Sequence, residues 1–97
     1  MFVITFTFKG AVEELEATRE VHREWAARGF EEGILLGGGQ MVPPTGAVAF
    51  AKHDRELVDA FVASEPWLLR GLADVTVTEV NVRVVAPGLE GLKAGQE

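Results

Sequence analysis

No cysteine occurs in the 97-residue chain, which removes disulfides, thiolate metal ligation and a cysteine nucleophile together. Basic residues are scarce: Lys and Arg number 9 against 15 Asp and Glu, for a net charge of -6. Nucleic-acid binding relies on clustered cations neutralising phosphates, so no nucleic-acid partner is expected. The 2 histidines, His22 and His53, show no HxH or HxxxH spacing, which gives no support for a metal site. No apolar run approaches the roughly 20 residues that span a bilayer. The opening MFVITFTFKG has no basic segment ahead of its apolar run and no small-residue cleavage site. It reads as a first strand rather than a secretion signal. The expectation is one cytoplasmic domain with no membrane association and no cofactor.

What is present fits a globular domain: 47% apolar and 25% charged residues are ordinary proportions. The length lies near the lower end of what one core supports. Phe2, Ile4, Phe6 and Phe8 alternate with Val3, Thr5 and Thr7, a strand with one uniformly large apolar face, ended by Gly10. Residues 12–30 read as a helix of good formers without internal Pro, with Gly29 as its stop. The stretch 33–42 is a short second strand whose glycines predict close backbone approach or a bulge. PPTG (43–46) is a turn and 47–52 a third strand. Asp54 can cap a helix over 55–64 with Leu57, Val58, Phe61 and Val62 inward. Pro66 breaks it, and a short helical turn follows.

Residues 73–85 read as a long last strand. Its valines step from Val75 and Val77 to Val80, Val82 and Val84, which predicts a bulge near Thr78–Glu79. The segment 87–97 is a glycine-rich tail, either a loose end or an arm laid on a partner subunit.

The order strand, helix, strand, strand, helix, strand is a split βαβ unit repeated. This predicts an α+β, ferredoxin-like βαββαβ domain over residues 1–86, an antiparallel four-stranded sheet with two main helices on one face. The uncovered face carries little charge, and a second copy of the chain is the natural cover, so a homodimer with facing sheets is expected.

REVHREW (19–25) places a histidine in a charged helix. On a helical wheel Glu13, Glu14, Glu16, Glu20, Arg23, Glu24 and Arg28 take one side, and Val12, Leu15, Ala26 and Phe30 the other. His22 falls among Leu15, Ala26 and Gly29, with Thr18 and Trp25 at the flank, and so points inward. Two readings stand for it. It is a core histidine bonded to a backbone carbonyl, or it is paired with a carboxylate and transfers protons near neutral pH. The candidate partner is Glu65, which Pro66 pushes into extended geometry at the end of the second helix, beside Trp67. The competing reading of Glu65 is a solvated helix-end residue. Trp25 and Trp67 read as packing residues, Trp67 also lining a pocket beside Glu65. His53 reads as solvated, Ser64 as a local cap, and LGGGQ as a turn or bulge rather than a phosphate loop.

His22, GFEEGILLGGGQM and SEPWLLRGLADVTVTEV together resemble the YciI-like (YCII-related domain) proteins, over residues 1 to about 85. The resemblance implies a small ferredoxin-like domain that dimerises, within the dimeric α+β barrels. It also implies a cleft in which a first-helix histidine pairs with an aspartate that precedes Pro and an aromatic residue. Those positions are His22, Glu65 and Trp67 here. Glu65 replaces the aspartate and reaches one methylene further. Gln40 stands where the family often has Pro, and adds a hydrogen-bonding group to the cleft wall. The implied chemistry is a lyase- or isomerase-like proton transfer on small cyclic or aromatic substrates, including halide elimination from a chlorinated hydroxyquinol in one branch.

The expected site is thus His22 as general acid or base, Glu65 orienting its ring, and Gln40 and Trp67 shaping a pocket for an unidentified small molecule. The alternatives are a non-catalytic binding or accessory module using the same cleft, and a buried structural pair in a domain whose role is assembly.

Overall fold

The computed structural model describes residues 1–52 and 54–93. Its regular elements are β1 (Phe2–Phe8), α1 (Val12–Glu31), β2 (Leu35–Gln40), β3 (Gly46–Ala51), α2 (Arg55–Val62), α3 (Pro66–Leu69) and β4 (Ala73–Glu79). The strands form one open antiparallel sheet in the order β2-β3-β1-β4. The architecture is α+β, and this order is compatible with the ferredoxin-like plan.

The register explains the two faces. Phe2, Ile4 and Phe6 of β1 stand opposite Ala51, Ala49 and Ala47 of β3, and opposite Glu79, Val77 and Val75 of β4. Residues directly opposite share a face. The three large β1 side chains are at most 1% exposed and pack in one core with Trp25, Val58 and Trp67. Small β3 residues flank large β1 residues, which leaves room for the helices above. The other face presents Val3, Thr5 and Thr7 with Val48, Phe50, Thr76 and Thr78. Phe50 there is 38% exposed, and among the described residues no helix covers that side.

The sequence expectations need correction in several places. The last strand ends at Glu79, not residue 85, and no bulge occurs near Thr78–Glu79, because the β1–β4 register runs unbroken to Phe2 opposite Glu79. Met1 and Val80 still exchange backbone hydrogen bonds, at 3.1 and 2.8 Å. Residues 81–86 take no regular structure despite their valines. The anticipated irregularity in β2 is present, as a register shift between Leu35 and Gly37. Gly29 does not stop α1. It lies inside the helix, and Gly33, at φ +74°, follows the C-cap.

The helix wheel is also rotated from the expected one. Val12 and Phe30 are 68% and 49% exposed, while Thr18, Trp25 and Gly29 are buried. The second helix stops at Val62, with Asp54 capping it by accepting the Leu57 amide at 3.2 Å. Glu90–Leu92 form one 3-10 turn within the expected tail. Its residues 94–97, like His53, lie outside the described residues.

Candidate functional site

The buried stripe of α1 runs Thr18, Trp25, Gly29. His22 occupies the helical step between the first two, and its side chain is only 16% exposed. Polar anchors fix this stripe. Thr18 Oγ1 donates to the Glu14 carbonyl and accepts from Arg70 Nη1, both at 2.9 Å. Trp25 Nε1 donates to the Phe61 carbonyl at 2.9 Å, which ties α1 to the end of α2. Ser64 Oγ donates to that same carbonyl at 2.9 Å, so the hydroxyl closes the helix end.

This closure sets the position of Glu65. Its backbone is extended (φ -71°, ψ 128°), Pro66 begins α3 with its φ already suited to a helix, and Glu65 is the N-cap. The side chain is fully buried. Its Oε1 accepts the Leu68 amide at 2.8 Å, and its Oε2 lies 2.7 Å from His22 Nδ1. The reading of Glu65 as a solvated helix-end residue is therefore wrong. The sequence brings together two side chains 43 residues apart, and a buried carboxylate with hydrogen bonds at both oxygens is a satisfied one. Among the described residues no buried side-chain nitrogen or oxygen lacks a partner.

Trp67, one step into α3, stacks on the His22 ring with centroids 3.7 Å apart and planes 18° from parallel. Its Nε1 points to the Leu15 carbonyl at 3.4 Å, and Phe8 meets it edge-on at 4.7 Å. Phe6 presents an edge to His22 at 5.8 Å. The imidazole is thus held by one hydrogen bond and a packed aromatic surround, which restricts its rotation.

His22 and Trp67 form part of the wall of a cleft of about 220 Å³ between α1 and the β2–β3 half of the sheet. Gln40 stands opposite Ala47 in register, so it shares the helix-side face and lines the same cleft. Four side chains singled out from the sequence therefore converge: His22, Gln40 and Trp67 line the cleft, and Glu65 lies behind His22. Sequence reasoning missed Arg19 and Arg23, which also line it. They flank His22 by three positions and one, and long side chains reach a rim from a solvated helix face. It also missed that the Glu65 carboxylate caps α3. The signal was an acidic residue directly before a helix-starting Pro.

With Glu65 ionised, its oxygens only accept, so His22 Nδ1 carries the proton and Nε2 remains for a molecule in the cleft. The ring can then take a proton at Nε2 and return it. The stacked indole face attracts the imidazolium so formed.

Among the described residues no three His, Asp or Glu side chains are grouped to hold a metal ion. No described helix is long and apolar enough to cross a membrane. Comparison of the chain with protein-family models, with curated proteins and with solved structures gives no match.

Proposed function

We propose that the protein is a YciI-like homodimer whose cleft performs a lyase- or isomerase-type proton transfer on a small molecule. The observation that carries this reading is the pair His22–Glu65: a carboxylate fully out of solvent, 2.7 Å from an imidazole that lines an open cleft. A histidine kept only for packing needs no buried acid behind it. A buried ion pair is weak support for stability, since two apolar side chains commonly serve as well. A fixed tautomer with one free nitrogen facing a cleft is what a general acid or base requires. Trp67 holds the ring plane and Gln40 offers a hydrogen bond to the substrate. Glu65 in place of aspartate is accommodated because its longer side chain both caps α3 and reaches His22.

The homodimer reading is supported by the sheet's free face. Val3, Thr5, Val48 and Phe50 form an uncovered patch, and Val82 and Val84 lie outside the described strands. A second copy laid face to face completes a dimeric α+β barrel and leaves each cleft on its outer side.

The test needs no prior substrate. The protein is incubated in deuterium oxide with a panel of small keto, enol and unsaturated ring compounds, and solvent deuterium entering C–H positions is read by NMR. Exchange by the native chain that is lost in His22→Gln is the expected result. Equal exchange by both, or none with any compound, overturns the enzyme reading. Compounds bound by both proteins without exchange would point to a binding module.

A further inference from the structure

The charged groups that line the cleft are of one sign. Arg19 and Arg23 stand with His22 on its wall, and among the described residues no Asp or Glu lines it. This runs against the composition of a chain with 15 acidic and 9 basic residues. It runs equally against α1 itself, whose first turn is acidic at Glu13 and Glu14. Glu65, behind His22, is fully buried, and both its oxygens are engaged.

The rest of the lining is largely apolar or bare backbone: Phe8 and Trp67 line it together with Gly38, Ala47 and Ala49.

From this lining we infer that the cleft binds a small anionic molecule, a carboxylate or an ionised hydroxyl, with Arg19 and Arg23 holding the anion. The inference rests on the cleft being the substrate site, and it names the class of molecule that enters. Arg19 is engaged by Glu16 through Nε and Nη2, at 3.3 and 2.9 Å, which leaves Nη1 outside that pair. Glu16 is 59% exposed, and such solvent-facing pairs hold weakly against water. Arg23 approaches Glu20 only at 3.9 Å, beyond hydrogen-bond range. An anion at the cleft mouth meets guanidinium donors next to low-dielectric walls, where a charge-assisted bond is stronger than at the open surface. The same geometry disfavours a cationic ligand, since among the described residues no carboxylate lines the cleft to receive it.

The molecule carries its own reporter. Its 2 tryptophans, Trp25 and Trp67, both line the cleft, so quenching of intrinsic fluorescence reads occupancy. The experiment titrates the native chain at low salt with benzoate, benzamide and benzylamine, which share one ring and differ in charge. The expected result is benzoate binding at least about tenfold tighter than benzamide, with benzylamine weakest. In Arg19→Gln/Arg23→Gln the benzoate affinity falls about tenfold and the benzamide affinity holds. Equal binding of benzoate and benzamide, tighter binding of benzylamine, or no quenching by benzoate overturns the inference on the native chain alone, without recourse to a variant. Because binding is read and not turnover, an inert His22–Glu65 pair leaves this result standing. Equally, a charge-blind cleft leaves the pair's chemistry untouched.

Discussion

One carboxylate does two jobs: Glu65 Oε2 meets His22 Nδ1 at 2.7 Å while Glu65 Oε1 accepts the Leu68 amide at 2.8 Å. The helix cap fixes one oxygen, and the rigidity of the carboxylate then fixes the other. The orientation of the imidazole is therefore inherited from the N-terminus of α3. Glu65→Gln separates the two roles. Its amide oxygen can stay on the Leu68 N–H, which places its NH2 toward Nδ1 and forces the ring proton to Nε2. The expected outcome is a folded chain with a nearly unchanged melting temperature and the opposite tautomer by nitrogen NMR. Proton-transfer activity falls by about 10³-fold or more, as when a triad aspartate is replaced by its amide. Retention of both tautomer and activity would remove Glu65 from the mechanism.

His22→Ala tests the stability side of the same bond. The variant strands Oε2 in the core without its donor. Breaking a fully dry pair from one side costs about 3–5 kcal/mol. His22 is 16% exposed, so water can reach part of the vacated space, and a loss of about 1–3 kcal/mol is expected. Urea unfolding measures it. An unchanged midpoint would mean that the carboxylate finds another donor or leaves the core.

Much of this site was legible in the sequence, for reasons that differ by residue. The inward direction of His22 followed from helical periodicity, which is robust in a long helix without Pro. The special position of Glu65 followed from Pro66, which dictates backbone geometry locally. Its complete burial did not follow, because it arises from α1 and α3 packing over the sheet, a relation between segments far apart in the chain. The reach of Arg19 and Arg23 was hidden for the opposite reason. Their backbone positions are on the solvated side, and only side-chain length brings them to the cleft. The last strand was over-extended because alternating valines specify a strand's preference but not the presence of a partner to pair with.

Gly29 illustrates a packing demand that composition disguised as a helix stop. A Cβ built on it would lie 2.5 Å from Phe61 Cζ and 2.9 Å from Leu35 Cγ. Helix α1 approaches α2 and β2 this closely only because the side chain is missing. Gly29→Ala is expected to destabilise by roughly 1–3 kcal/mol through overpacking, against the small gain in helix propensity. Gly39→Ala, where nothing lies within 4 Å of the added atom, should change stability by no more than about 0.5 kcal/mol. Paired urea melts with equal m-values decide it. A neutral Gly29→Ala would mean that the helices are free to move apart.

The two faces of the sheet make the assembly and the cleft separable. Thr5 stands between Val48 of β3 and Thr76 of β4 on the uncovered face, while its neighbours Ile4 and Phe6 point into the core. Thr5→Glu puts a charge at the centre of the proposed dimer face, where a second copy would bring the same charge against it. Sedimentation at matched concentrations is expected to give a dimer for the native chain and a monomer for Thr5→Glu. Tryptophan fluorescence and benzoate quenching should persist in that monomer, because Thr5 is not among the residues that line the cleft. A native chain that sediments as a monomer at about 100 μM, well above the range of stable interfaces, would remove the barrel. If Thr5→Glu instead lost quenching along with dimerisation, the second copy would be holding the cleft in shape, and the site would belong to the pair of chains rather than to one.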